Sequence, residues 1–172
     1  METLAELLSI DAVSSFVADG AWVWPLCEFL HFVGMALLLG TIGLLDLRLL
    51  GFAKGVPIAS LSKLVPLGVA GFVINAVTGF VFVAGNPVGG PADYLANLSF
   101  QLKMLLILVA GINLLAFHLA GISRAAEAVP PGGDAPPAAK FVAVASLVLW
   151  FGVIVFGRLI MYNDTLLYAL GI

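Results

Sequence analysis

Four stretches of this sequence, residues 22–45, 64–84, 100–122 and 141–161, each run about twenty residues with almost no charge. An α-helix rises about 1.5 Å per residue and a bilayer's hydrocarbon core is roughly 30 Å thick, so about 20 apolar residues make one crossing. Within lipid the backbone must satisfy its own hydrogen bonds, and a continuous apolar run of this length does so as a helix. Composition agrees. Of 172 residues, 62% are hydrophobic and 10% charged, with a mean hydropathy of +1.16, whereas a soluble domain carries about 25% charged residues. The expected fold is all-α, an integral membrane four-helix bundle forming one domain over residues 1–172. Leu4, Leu7, Leu8, Asp11, Phe16 and Val17 add a short amphipathic interfacial helix before the first span.

Breaks between the spans are well marked. Asp46-Leu-Arg48 closes the first span and reads as a solvated ion pair at its end. Gly85-Asn86-Pro87 closes the second and Ser123-Arg124 the third. The loop AVPPGGDAPPAA, residues 128–139, has the composition of a flexible linker. Arg48, Lys54, Lys63, Arg124 and Lys140 all fall on one side, which the distribution of basic residues assigns to the cytoplasm. Both termini are then expected on the opposite face, where Trp22, Trp24 and Tyr162 form an aromatic belt. The opening METLAELLSIDAVSS lacks the basic segment of a signal peptide and reads as part of the mature chain.

The chemistry these residues can support is narrow. Cys27 is the single cysteine, so no internal disulfide can form; beside Glu28 it reads as a small packed hydrophobe. No nucleophile–base pair, phosphate loop or zinc spacing is visible, which leaves no hydrolase machinery. What remains is a set of ionisable residues inside the spans, each costing about 3 kcal/mol to insert and each therefore a candidate for function.

Counting residues places these groups in one layer. His31 and Thr78 lie roughly 22 Å above the basic boundary, Glu28 and Arg158 roughly 27 Å, and Lys103 about 31 Å. All four helices contribute. One reading is structural: Glu28 pairs with Arg158 or Lys103 and fixes helix register. The other makes His31 an axial ligand of haem b, with Arg158 and Lys103 holding the propionates and Glu28 tuning local charge. Gly34, Gly40, Gly71 and Gly79 would let helices or a flat ring approach closely, and they suit ordinary helix packing as well. His118 lies about 13 Å from the level of His31. It reads as a second haem ligand, a second metal site, or a side chain reaching for the headgroups. Asn75 and Asn113, mid-helix, are expected to hydrogen-bond across the bundle.

The motifs Trp24-Pro25, Glu28-Phe-Leu-His31, Asp46-Leu-Arg48-Leu-Leu-Gly51, Thr78-Gly79, Phe100-Gln-Leu-Lys103, Asn113, Phe117-His118, Trp150 and Gly157-Arg158 resemble an uncharacterised family of small bacterial inner-membrane proteins. That resemblance covers nearly the whole chain and implies four helices in a bacterial membrane. More loosely, histidines in a four-helix membrane bundle are similar in architecture to b-type cytochromes and to copper-resistance membrane proteins. The b-type cytochromes present paired histidines at matched depth, and this sequence departs from them there. The expected function is that of a haem-binding electron-transfer protein, plausibly a homo-oligomer, with a quinone or a periplasmic redox partner. The alternative is a non-redox module, either a copper or small-solute permease component or an accessory subunit.

Overall fold

The computed structural model describes residues 2–86 and 89–171. It is all-α, with no strand among the described residues. Four helices are long and apolar enough to cross a membrane: α3 (Val23–Leu49), α5 (Val65–Ala84), α7 (Leu98–Leu119) and α9 (Pro137–Leu159). Six short helices connect or flank them: α1 (Glu2–Leu8), α2 (Asp11–Asp19), α4 (Ile58–Ser62), α6 (Gly90–Ala96), α8 (Ile122–Glu127) and α10 (Asn163–Leu170). An even number of long helices returns both termini to one end. That end carries α1, α2, α6 and α10, and the other carries Arg48, Lys54, Lys63, Arg124 and Lys140. The two are called here the termini end and the basic end.

Local chemistry explains the boundaries. Pro25, Pro66, Pro91 and Pro137 sit in first turns, where the missing N–H would have had no partner anyway. Asn97 caps α7 by accepting the Phe100 N–H at 3.1 Å. Gly121, at φ +72°, supplies the left-handed residue between α7 and α8. Helix α5 stops at Ala84 as its Gly-Asn-Pro breaker requires, although Pro87 lies outside the described residues.

Three expectations are corrected. The N-terminal segment is two helices, because Ile10 adopts an extended conformation between them. Val17 of α2 is buried, packed where a Cβ on Gly85 would lie 2.7 Å away, so this segment docks on the bundle as well as exposing Leu4, Leu7 and Phe16. The Pro/Gly loop is not a free linker. Gly132 donates its N–H to the Lys54 carbonyl at 2.8 Å, Gly133 accepts from Arg48, and Asp134 bridges Lys54 and Lys140 at 3.0 and 3.3 Å. Finally, Asp46 and Arg48 are no solvated ion pair: their side chains are 5% and 1% exposed and do not meet.

The long helices pack as two antiparallel pairs, α3 on α5 and α7 on α9, joined mainly along α3 and α9. Glycines permit the first pairing. A Cβ on Gly71 would sit 2.6 Å from the Gly34 carbonyl, and one on Gly34 would sit 2.7 Å from the Gly71 carbonyl. The buried core gathers at the basic end, where Leu45, Leu49, Ile58, Phe117, Ala139 and Ala143 close on one another. Toward the termini end, α7 buries only Ser99 before Ala110, and α9 buries nothing beyond Ser146. Phe29, Phe32, Leu105, Leu108, Phe151 and Val155 are exposed, as expected of surfaces that lipid or a second subunit covers.

Candidate functional site

Asn75, Thr78 and Phe82 recur at three- and four-residue spacing on the face of α5 that meets α3, so one helix face reaches His31 with three side chains. Thr78 is buried, and its hydroxyl lies 2.7 Å from His31 Nδ1. That hydroxyl has one proton, which it donates to the Ile74 carbonyl one turn back at 2.8 Å. His31 is then the donor in the interhelical bond, with its proton on Nδ1 and a lone pair on Nε2; this tautomer is assigned from the bonding pattern. Asn75, its amide oriented by the same logic, donates to the His31 carbonyl at 2.7 Å and accepts from the Met35 N–H at 3.1 Å. The backbone and the ring of His31 are thus both held by α5. The Phe82 ring lies 5.4 Å from the imidazole and 5.0 Å from Trp24. Gly79 also borders the ring, where a Cβ would make ordinary van der Waals contact with His31 Cε1 at 3.8 Å.

Lys103 on α7 is half-buried. Its methylenes lie along α9, with Cδ, Cε and Nζ each 3.7 Å from where a Gly157 Cβ would be. Among the described residues no carboxylate lies within 4.0 Å of Lys103; the ion pairs found join Asp134 to Lys54 and Lys140. Arg158 is directed along its own helix, donating to the Tyr162 hydroxyl at 3.4 Å with its guanidinium carbon 5.4 Å from the centre of that ring. Glu28 accepts from Trp24 Nε1 at 3.0 Å and is exposed. The Glu28–Arg158 and Glu28–Lys103 pairs of the structural reading are not formed. Of the five residues expected at one level, the structure brings His31 and Thr78 into contact, while Lys103 packs along Gly157 of α9.

His118 belongs elsewhere. Its Nδ1 donates to the Leu114 carbonyl at 3.0 Å, and it lines a cavity at the basic end with Leu45 and Asp46. The residue count keeps His118 about 13 Å from the level of His31, which disfavours one iron taking both imidazoles of a single chain. No group of three or more His, Cys, Asp or Glu stands ready to hold a metal ion among the described residues. A haem with one histidine ligand requires no such group.

Sequence reasoning missed the structural centre of the basic end. Arg48 donates through Nε to the Val56 carbonyl at 2.6 Å, and through Nη2 to the carbonyls of Lys54 and Gly133 at 3.2 and 3.3 Å. One guanidinium thereby gathers two loops. The available signal was spacing: residues two apart on a helix do not face each other, so Asp46 and Arg48 had to find separate partners. The expectation for the asparagines holds, with Asn75 reaching α3 and Asn113 donating to the Val142 carbonyl of α9 at 3.1 Å.

Fold and site together define an all-α protein with four potential membrane-crossing helices and an imidazole held between two of them. No family model, curated protein or solved structure matches the chain, so the resemblance of its motifs to an uncharacterised membrane family gains no support there.

Proposed function

We propose that this chain is a haem b-binding membrane protein that transfers electrons, with His31 as axial ligand and Lys103 and Arg158 as partners of the propionates. The observation that carries the reading is the hydrogen-bonded state of His31 between α3 and α5. A histidine that binds metal almost always gives its other ring N–H to an acceptor, which fixes the tautomer and aims the remaining nitrogen. Thr78 is that acceptor here. Haem also brings carboxylates, and a lysine inside a span without a carboxylate partner is a place to receive one. Near the termini end α7 and α9 bury few side chains, and that is where a flat ring would be taken in. Bound there, haem supplies a one-electron couple. The protein's part is to hold Nε2 unprotonated, place Lys103 at the propionate edge and keep water out with Phe82.

The same reading sets the protein in a bacterial inner membrane with its basic end in the cytoplasm and both termini in the periplasm. Haem then lies near the outer surface, within reach of a periplasmic redox partner. A homo-oligomer would cover the exposed faces of α7 and α9.

The test is an absorption spectrum of the protein purified from haem-replete cells. A Soret band should be present, lost in His31→Ala and retained in His118→Ala. A colourless wild-type protein, or a band indifferent to His31→Ala, refutes the reading.

A further inference from the structure

The cavity at the basic end is separate from the His31 site, and its lining is chemically one-sided. It has a volume of about 180 Å³ and lies between α3, α5, α7 and α9. Phe72, Phe117 and Trp150 supply aromatic walls, and no lysine or arginine lines it. Its polar side chains are Asp46, Asn113, His118 and Ser146, and acceptors outnumber donors: the Ser146 hydroxyl is the one that faces the Asp46 carboxyl. Asp46 is 5% exposed, and although Ser146 serves its carboxyl, Oδ2 has no hydrogen-bond partner. Asn113 has committed its N–H to Val142, leaving Oδ1. His118 has committed Nδ1 to Leu114, leaving Nε2. An unpaired buried carboxyl costs several kcal/mol unless a proton or a cation joins it, and aromatic faces attract cations, most strongly where water is excluded.

We propose that this cavity binds a small organic cation, an ammonium group carrying about one ring's worth of apolar body, with Asp46 as its counter-ion. Size sets the limit, because a cavity of about 150 Å³ is enough to hold benzene. Access sets the character. Val69 and Phe72 on α5 and Leu114 and His118 on α7 are exposed where those two helices make little contact, so the mouth opens sideways toward lipid. An amphiphilic amine reaches such a mouth from the bilayer. The ammonium donates to Asp46 Oδ2 and Asn113 Oδ1 while the body lies against Trp150 and Phe117. This site does not depend on the haem reading.

The probes are benzylamine and benzyl alcohol, matched in size and differing in charge, followed at pH 7 by ligand-observed NMR against protein in detergent micelles with empty micelles subtracted. Benzylamine should bind wild type at least tenfold more tightly than benzyl alcohol. Asp46→Asn should erase that preference while benzyl alcohol still binds, which also shows the variant folded. Gly111→Leu lines the cavity at a position where a Cβ meets nothing within 4 Å, and should abolish both. Equal affinity of the two probes for wild type, no benzylamine binding, or a preference that survives Asp46→Asn overturns the proposal.

Discussion

Arg48 carries more of the structure than its place at a helix end implies. Its guanidinium is 1% exposed and satisfies three backbone carbonyls from two loops. Leaving such acceptors buried and unpaired costs about 1–3 kcal/mol each, and a lysine cannot reproduce the planar fork. Arg48→Ala should therefore lower stability by about 2–4 kcal/mol, a Tm drop of roughly 5–15 °C for a chain of this length. Arg48→Lys should fall between. Thermal unfolding in detergent reads both, and a variant as stable as wild type contradicts the role. This residue was not legible in the sequence. Counting along helices gives depth, which placed His31 level with Thr78, and the two are bonded. Depth leaves direction and reach undetermined, so Glu28 and Arg158, equally level, turn instead to Trp24 and Tyr162.

At the scale of elements, the seam between α3 and α5 positions the candidate site. Gly34 and Gly71 hold the two backbones close enough for Asn75 and Thr78 to reach His31. Gly71→Leu would force a Cβ to within 2.6 Å of the Gly34 carbonyl, an overpacking that costs about 1–3 kcal/mol, and it should reduce haem binding along with Tm. Gly43→Ala, whose Cβ meets nothing within 4 Å, should leave both intact. If both variants behave alike, the seam does not set the site. The four long helices were readable because apolar length is a direct measure of a crossing. The loop from 128 to 139 was not, since its Pro/Gly composition is that of a flexible linker and its order comes from partners distant in sequence. Asp134 is one such tether. Hydrogen bonds from Lys54 and then Lys140 hold its carboxyl below the ordinary value of about 3.9. A lowered folded value means that the ionised carboxylate stabilises the fold above that pH and the contribution disappears as pH falls through the folded value. Wild type should melt slightly above Asp134→Asn at pH 7, and the two should converge as acid takes the pH below the lowered folded value. A gap that persists in acid rules out the ion pairs as its source.

The whole molecule divides its labour along its long axis. The basic end holds the buried core, with Leu45, Leu49 and Arg48 packed among small residues such as Ala139 and Ala143, and toward the termini end α7 and α9 bury few side chains. Under the proposed function, the buried base sets the helix positions and the less buried half of α7 and α9 is where a flat cofactor would be taken in. The most direct measurement is the haem-to-chain ratio of the purified protein, by pyridine haemochrome, for wild type and His31→Ala. The account predicts about one haem per chain in wild type and less than a tenth of that in the variant. Wild-type protein without haem, or equal content in both, contradicts it.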